Sequence, residues 1–276
     1  MIKITEGLTY EKQVVLGGKT SHTICLTQNV NPNLTLLISK LSEAITPNEK
    51  NNHVGEGSTF EHFLEKQKGV RFVINGGFSH YRKNFYDWKN QNFNIGDPVG
   101  IVKIREHFFE DYADIEHYGF FIQKQKKSLW NIVQKTSLSL EEKYILGCTP
   151  LLIFNQEKID IPEQIFKPIP VGKINPPSIL GHGKQEHPRT AIGFKNHDIY
   201  FIVIEGNPGC TLLELQNLGL DMKLDSLLNL DGGGSSQFRL QAQNEMMHNT
   251  VSEEDKNRIL GHAIVLFDET LKQSKN

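Results

Sequence analysis

Apolar and polar positions alternate along most of this chain in short runs that end at glycine, proline or asparagine. Alternation with a period of two, bounded by such residues, is typical of β-strands that have one buried face. On this pattern the sequence predicts strands at 8–10, 23–26, 34–39, 70–74, 99–104, 119–123, 129–134, 151–154, 191–194, 199–204 and 227–230. The pairs within 99–135 and the pair 191–194 with 199–204 are short-linked, so we expect them to form hairpins.

Two segments carry helical signals instead. Ser58-Thr59-Phe60-Glu61 and Thr211-Leu212-Leu213-Glu214 each place a hydroxyl three residues before a glutamate. This is the spacing of a capping box, in which the two side chains satisfy free N–H groups at a helix start. After each box, apolar residues recur at helical spacing, namely Phe60, Phe63 and Leu64 in the first segment and Leu212, Leu215 and Met222 in the second.

Each predicted helix is followed by a strand and then by a glycine turn. Ile74-Asn75-Gly76-Gly77-Phe78-Ser79 aligns without a gap with Leu230-Asp231-Gly232-Gly233-Gly234-Ser235. We therefore hypothesise an internal repeat of two helix–strand–glycine-turn units, related by a pseudo-two-fold axis. The alternative is a chance likeness between two short glycine turns.

The fold predicted from these elements is α+β, with helices packed on one mixed, largely antiparallel sheet and the glycine turns converging on a cleft. Residues 1–276 are expected to form a single domain. Within it, about 80–135 is a hairpin-rich segment. The stretch of about 160–188 holds six prolines and is expected to be a surface loop, because so many fixed φ angles prevent regular structure.

The strongest candidate for chemistry is the segment Asp231-Gly232-Gly233-Gly234-Ser235-Ser236. Three consecutive glycines are entropically costly, so a fold keeps them where a backbone approaches something closely or turns sharply. Bare N–H groups at such a turn favour an anion, and a carboxylate beside them suits acid–base or nucleophilic chemistry. A tight glycine turn between two strands, without any function, is the alternative interpretation.

Two further side chains stand where strands begin or end. Arg189, in the run Pro188-Arg189-Thr190, offers a planar donor fork that fits a phosphate or a carboxylate. Glu205 follows the predicted strand 199–204, where sheet-based sites collect their side chains. A surface salt bridge for Arg189 and a turn-forming role for Glu205 are the alternatives.

Composition excludes several classes of protein. A net charge of −2 over 276 residues argues against nucleic acid as a partner, and no apolar run is long enough for a membrane span. The first residues lack a signal-peptide pattern, so we expect a cytoplasmic protein. The three cysteines have no C-x-x-C spacing, which supports neither zinc nor disulfides. The motifs of P-loop nucleotide hydrolases, zinc proteases and G-x-S-x-G hydrolases are missing from the sequence.

No metal or organic cofactor is expected, although Asp231 with loop carbonyls could hold a hard cation such as calcium. The sequence says nothing about the oligomeric state.

Several motifs together resemble the phosphodiester glycosidase family, over about residues 7–268. They are, in chain order, Ile74-Asn75-Gly76-Gly77-Phe78, Gly147-Cys148-Thr149-Pro150-Leu151-Leu152, Pro188-Arg189-Thr190-Ala191-Ile192-Gly193, Thr211-Leu212-Leu213-Glu214-Leu215 and Asn229-Leu230-Asp231-Gly232-Gly233-Gly234-Ser235-Ser236. The resemblance implies hydrolysis of a sugar 1-phosphodiester at the anomeric carbon, with a sugar of the N-acetylglucosamine type. Three residues depart from the family pattern: Ser79 stands where a second aromatic is usual, Glu205 where aspartate is usual, and His262 where asparagine is common.

The residues fit that reaction. A phosphate diester leaves more easily than an alkoxide, so it needs a cradle of donors more than the proton donor of ordinary glycosidases. We expect that cradle to comprise the amides of Gly232, Gly233 and Gly234, the hydroxyls of Ser235 and Ser236, and Arg189. Asp231 is the first candidate for the carboxylate near the anomeric carbon, where it would stabilise the oxocarbenium-like state or activate water, and Glu205 is the second.

Asn75 is expected to bind a sugar hydroxyl or the phosphate, with Gly76, Gly77 and Thr190 beside it. Two other functions stay open: a phosphodiesterase that breaks the P–O bond, and a protein that binds sugar phosphates or nucleotide-like ligands without turnover.

Overall fold

A computed structural model describes residues 1–41, 58–79, 98, 100–110, 119–124, 129–161, 183–242, 245–250, 258 and 260–273. The strands are β1 (Ile2–Thr5), β2 (Leu8–Val15), β3 (Lys19–Thr27), β4 (Leu34–Lys40), β5 (Val70–Asn75), β6 (Ile101–Ile104), β7 (His107–Glu110), β8 (Gly119–Lys124), β9 (Leu129–Gln134), β10 (Tyr144–Cys148), β11 (Leu151–Phe154), β12 (Glu157–Lys158), β13 (Arg189–Lys195), β14 (Asp198–Ile204), β15 (Ser226–Asn229), β16 (Gln237–Ala242), β17 (Glu245–Thr250) and β18 (His262–Asp268). The helices are α1 (Phe60–Lys66), α2 (Leu212–Asp221) and α3 (Glu269–Gln273).

The strands form three antiparallel sheets. The largest has eight strands in the order β1-β2-β3-β14-β13-β15-β11-β12, and the other two have five strands each, in the orders β7-β6-β10-β8-β9 and β17-β16-β5-β18-β4. The two strands that precede the glycine turns, β5 and β15, are interior strands of different sheets. Their ends are therefore held by neighbours on both sides.

The main core lies between the sheets, because all three contribute side chains to one apolar cluster. Alternation along β5 shows how the layers are separated: Phe72 and Ile74 point into this shared core, whereas Val73 packs with Phe60 and Phe63 of α1. In the same way α2 covers the opposite face of the eight-stranded sheet. Helices α1 and α2 thus each cover the outer face of one sheet.

The predicted α+β class is wrong, because within the described residues the fold is mostly β, with three antiparallel sheets instead of one sheet covered by helices. The two helical signals were real but correspond to short helices of 7 and 10 residues. Strands β1, β7, β10, β12 and β16–β18 were not predicted. β10 is buried on both faces, so its residues show no alternation.

One of the two predicted capping boxes forms as expected. At α2 the Thr211 hydroxyl accepts from the Glu214 backbone and the Glu214 side chain accepts from the Thr211 backbone. At α1 the cap is Thr59, which accepts from the N–H of His62. Because the helix begins at Phe60, Thr59 and not Ser58 is the cap, and Ser58 pairs through its backbone with Leu260. The predicted box at 58–61 is therefore wrong by one residue.

The predicted hairpins are found where the structure describes them. β8 pairs with β9, and β13 pairs with β14 around a turn at Asn196 and His197. β6 pairs with β7. Most of the predicted proline-rich loop, residues 162–182, lies outside the described residues, as do 80–97 of the hairpin-rich segment. No helix in the described part of the chain is both long enough and apolar enough to cross a membrane.

Candidate active site

The ends of several strands meet at one place, and the side chain of Asn75 joins them. Its Nδ2 donates to the backbone carbonyl of Asp231 at 2.8 Å. Its Oδ1 accepts from the Thr190 hydroxyl at 2.8 Å and from the backbone N–H of Gln237 at 3.2 Å. Asn75 is only 1% exposed, so its hydrogen-bonding groups serve to connect β5, β13 and the segment after β15.

The two glycine turns therefore lie against each other, as the repeat hypothesis requires. The N–H of Asp231 also donates to the carbonyl of Gly76, at 3.3 Å. The strands of the two units belong to different sheets. The repeat is therefore limited to local structure, and the fold brings its two turns together from different sheets. The pseudo-two-fold axis stays a hypothesis.

The turn after Asp231 is a short 3₁₀ segment whose amides are partly used within the protein. Gly233 has a φ of +58° and donates to the carbonyl of Pro188 at 2.9 Å. Ser235 and Ser236 donate to the carbonyls of Gly232 and Gly233. The N–H of Gly234 has no partner among the described residues, and the same is true of the buried Ser236 hydroxyl. The donors left for an anion are thus fewer than the three predicted amides.

Asp231 is half-buried, and its carboxyl has the properties of a general base. Burial raises the pKa of its carboxyl to about 6, although hydrogen bonds from the Ser235 hydroxyl and the Gly232 N–H, together with the charge of Arg258, act in the other direction. A carboxyl whose pKa lies near neutrality takes up and releases a proton readily at cellular pH. Arg258 is a neighbour of this carboxylate that the sequence reading did not single out as a site residue.

Arg189 is buried, at 6% exposure, and its side chain lies close to Gly232. Its Nε donates to the carbonyl of Cys210 and its Nη2 to the carbonyl of Gln185, both at 3.0 Å. Burial lowers the pKa of this guanidinium from its usual range. A methyl group added to Gly232 would lie 3.8 Å from Nη1 of Arg189, so the positive charge lies close to the predicted cradle.

His262 and Ser79 form a part of the site that sequence reasoning did not assign. The N–H of Gly77 donates to Nε2 of His262 at 3.0 Å, so Nδ1 must carry the ring proton, and it faces the Ser79 hydroxyl at 3.3 Å. Burial lowers the pKa of His262 to about 4, which keeps this acceptor available. Ser79 and His262, which both differ from the family pattern, thus contact each other. That difference was the only signal in the sequence that pointed to them.

Glu205 is not in contact with Asp231. Its Oε1 lies 2.6 Å from Nε2 of His22 and 3.4 Å from Nζ of Lys12, and Nδ1 of His22 lies 2.8 Å from the hydroxyl of Tyr10. The structure therefore separates the two predicted carboxylates into different groups. His22 and Tyr10 were missed because a lone histidine or tyrosine in a strand is more often part of the core.

No group of three or more His, Cys, Asp or Glu side chains that could hold a metal ion occurs in the described part of the chain. The expectations of a site without a cofactor, and of a cytoplasmic location, stay predictions.

The fold and the site define the class as a β-rich protein whose candidate active site is a carboxylate between two glycine turns, where antiparallel sheets meet. The sequence comparison makes this more specific. Residues 68–267 match the sequence profile of the phosphodiester glycosidase family. The chain belongs to this family, which confirms the resemblance noted from its motifs. No curated protein matches the chain at a significant level.

Solved structures share the fold at low sequence identity. The catalytic domain of zebrafish N-acetylglucosamine-1-phosphodiester alpha-N-acetylglucosaminidase superposes with a TM-score of 0.61 and 15% identity, over 96% of this chain and 83% of that one. A hypothetical protein from Synechocystis superposes with a TM-score of 0.59 and 12% identity. That match covers 95% of this chain but only 62% of the Synechocystis protein.

Proposed function

We propose that this protein hydrolyses the glycosidic C–O bond of a sugar 1-phosphodiester, releasing the free sugar and a phosphomonoester. Membership of the phosphodiester glycosidase family supports the reaction class. The name of the zebrafish enzyme with the same fold supports an N-acetylglucosamine-type sugar. The observation that carries the proposal is the half-buried carboxylate of Asp231, whose pKa is raised to about 6 between the two glycine turns.

Asp231 acts as the general base in this mechanism. A base is most effective when its pKa lies near the working pH, because it is then largely ionised yet still binds a proton well. With a pKa of about 6, Asp231 is mostly ionised at neutral pH and removes a proton from the attacking water. The water oxygen bonds to the anomeric carbon, the C–O bond to phosphate breaks, and its electron pair leaves with the phosphate.

The phosphate is stabilised by donors rather than by a proton. The N–H of Gly234 and the hydroxyl of Ser236 are the nearest uncommitted donors among the described residues of the turn. Arg189 adds a fixed positive charge behind Gly232. Prearranged donors of this kind stabilise charge that develops in a transition state without needing to reorganise. Gly232 and Gly233, whose amides are used by Asp231 and Pro188, shape the turn.

Hydrolysis of an N-acetylglucosamine 1-phosphate methyl diester in ¹⁸O-labelled water tests the proposal. Cleavage at the anomeric carbon places the label in the free sugar, which mass spectrometry detects directly. Label in the phosphate instead would mean P–O cleavage by a phosphodiesterase. Tight binding without any product after prolonged incubation would mean that the protein only binds sugar phosphates. Either of these two results contradicts the proposed reaction.

A further inference from the structure

Four polar side chains lie on one face of adjacent strands, beside the catalytic candidate but not in contact with it. Tyr10 and Lys12 are two residues apart on β2, His22 lies on the neighbouring strand β3, and Glu205 follows β14 on the other side of β3. Side chains two residues apart in a strand share a face, so the fold brings these groups together. The ring of Phe238, on the strand that leaves the glycine turn, packs against His22 at 5.2 Å between centroids.

The hydrogen bonds in this group determine where each proton lies. Burial raises the pKa of Tyr10, so its hydroxyl stays protonated and donates to Nδ1 of His22 at 2.8 Å. Burial lowers the pKa of His22, so the ring is neutral and its single proton is on Nε2, which donates to Oε1 of Glu205 at 2.6 Å. The chain of donors runs from Tyr10 through His22 to the carboxylate.

Glu205 differs from Asp231 in what it can do chemically. Burial alone would raise its pKa, but the bond from His22 and the charge of Lys12 outweigh this effect, so the pKa of Glu205 is lowered. A carboxylate whose pKa is lowered is a weak base but a strong hydrogen-bond acceptor. Oε1 is held by His22 and Lys12, whereas Oε2 has no partner among the described residues and the side chain is 33% exposed.

Glu205 also lies at a useful distance from the turn. Ile204 is paired with Arg189 in the adjacent strand, and Pro188, just before Arg189, accepts from the N–H of Gly233. Glu205 is therefore two strand spacings from the segment that carries Asp231, which is about 10 Å. This is comparable to the length of a monosaccharide with its phosphate.

We propose that Glu205 accepts a hydrogen bond from a hydroxyl of the substrate's sugar ring, and that Tyr10 and His22 are the positioning residues that hold its carboxylate for this task. An ionised carboxylate with one open oxygen is a strong acceptor for the hydroxyl groups of a sugar. The inference rests on the proposed function in that it takes the same substrate, but it assigns Glu205 to recognition and leaves the acid–base step to Asp231.

Calorimetry with N-acetylglucosamine 1-phosphate and its 3-deoxy, 4-deoxy and 6-deoxy analogues tests the assignment. The wild type should bind one of these analogues about tenfold more weakly than the parent, the usual worth of a hydrogen bond to a charged group. Glu205→Gln should bind the parent about tenfold more weakly than the wild type does. The variant should bind that analogue with the same affinity as it binds the parent. If the variant matches the wild type on every ligand, or if the wild type does not bind the parent, the inference is overturned.

Variants of the positioning residues separate this role from a purely structural one. His22→Phe keeps an aromatic ring against Phe238 but cannot donate to Glu205, and Tyr10→Phe removes only the hydroxyl. Both should raise KM several-fold for the sugar diester with kcat nearly unchanged, whereas Tyr144→Phe, an equally buried tyrosine, should change neither. A fall in kcat with constant KM for His22→Phe would contradict the positioning role.

The two proposals fail in different ways. If the wild type binds N-acetylglucosamine 1-phosphate through Glu205 but releases no sugar from the diester, the proposed reaction is wrong and the recognition role stands. If the diester is hydrolysed with label in the sugar and Glu205→Gln behaves as the wild type, the reaction stands and the recognition role is wrong.

Discussion

The side chain of Asn75 donates to the main-chain carbonyl of Asp231 at 2.8 Å, across 156 residues of sequence. Because the same side chain also accepts from Thr190 and Gln237, one buried amide sets the position of the candidate base relative to two sheets. Asn75, whose ligand-binding role stays a prediction, is thus also a buried link between the two glycine turns.

Asn75→Ala should lower both stability and activity. The change leaves the buried Thr190 hydroxyl and the Asp231 carbonyl without a partner, which typically costs about 1–3 kcal/mol of unfolding free energy. It also releases the main chain that carries the base, so kcat should fall by at least tenfold. Urea unfolding and steady-state kinetics measure the two effects.

A second buried amide provides the control for this variant. Gln216, on α2, is fully buried, and its side chain donates to the carbonyls of Leu152 and Ile159. Gln216→Ala should therefore cost a similar amount of stability with kcat unchanged. Equal losses of kcat in the two variants would show that Asn75 acts only through overall stability.

The parts of this architecture that the sequence predicted are those with local causes. The capping box at Thr211, the hairpin around Asn196 and the glycine turn after Asp231 each depend on residues a few positions apart. The contacts that define the site are not local, since Ser79 and His262 are 183 residues apart. Their pairing depends on which strands become neighbours, and alternation within single strands does not determine that.

The same reason limits what the sequence says about the other site residues. Arg189 stays a predicted phosphate ligand, but its hydrogen bond to the carbonyl of Cys210 depends on the folding of the chain between them. The fold class was wrong because short helical signals were given as much weight as strands, while doubly buried strands such as β10 show no alternation.

Asp231→Asn should abolish activity and increase stability at neutral pH. The folded pKa of about 6 lies above the ordinary value of 3.8, so ionising this group costs more in the folded state than in the unfolded one. Each pKa unit corresponds to about 1.36 kcal/mol, and for a half-buried group we expect a gain of about 1–2 kcal/mol. Chemical unfolding at pH 7.5 measures it.

The pH dependence of that gain has a definite sign. Between pH 6 and 3.8 the folded wild type binds more protons than the unfolded chain, so its stability deficit relative to Asp231→Asn shrinks as the pH falls. The two proteins should be equally stable near pH 4. If the stability difference between the two proteins stays constant with pH, burial does not raise the pKa of Asp231.

The rate of the wild type should itself report the pKa of Asp231. If this carboxylate is the base, log kcat/KM should be flat above about pH 6 and fall with unit slope below it, because only the ionised form accepts a proton from water. Measurements between pH 4.5 and 8 in constant ionic strength cover the range. An acid limb near pH 4 would instead point to a carboxyl with an ordinary pKa.

The packing of His262 on Gly76 predicts a coupled pair of substitutions. A methyl group on Gly76 would come within 2.6 Å of Cδ2 of His262 and 3.1 Å of its carbonyl oxygen, so Gly76→Ala should lower the unfolding free energy by about 1–3 kcal/mol. Gly233→Ala is the matched control: it meets open space but has a φ of +58°, so it should cost only about 1 kcal/mol of backbone strain.

Adding His262→Ala to Gly76→Ala should remove most of the clash, so the two substitutions together should cost less than the sum of their separate effects. The same addition to Gly233→Ala should be additive, since a methyl group on Gly233 has no atom within 4 Å. Additivity in both pairs would contradict the prediction, because it would mean that the His262 ring moves away from the new methyl group at no cost.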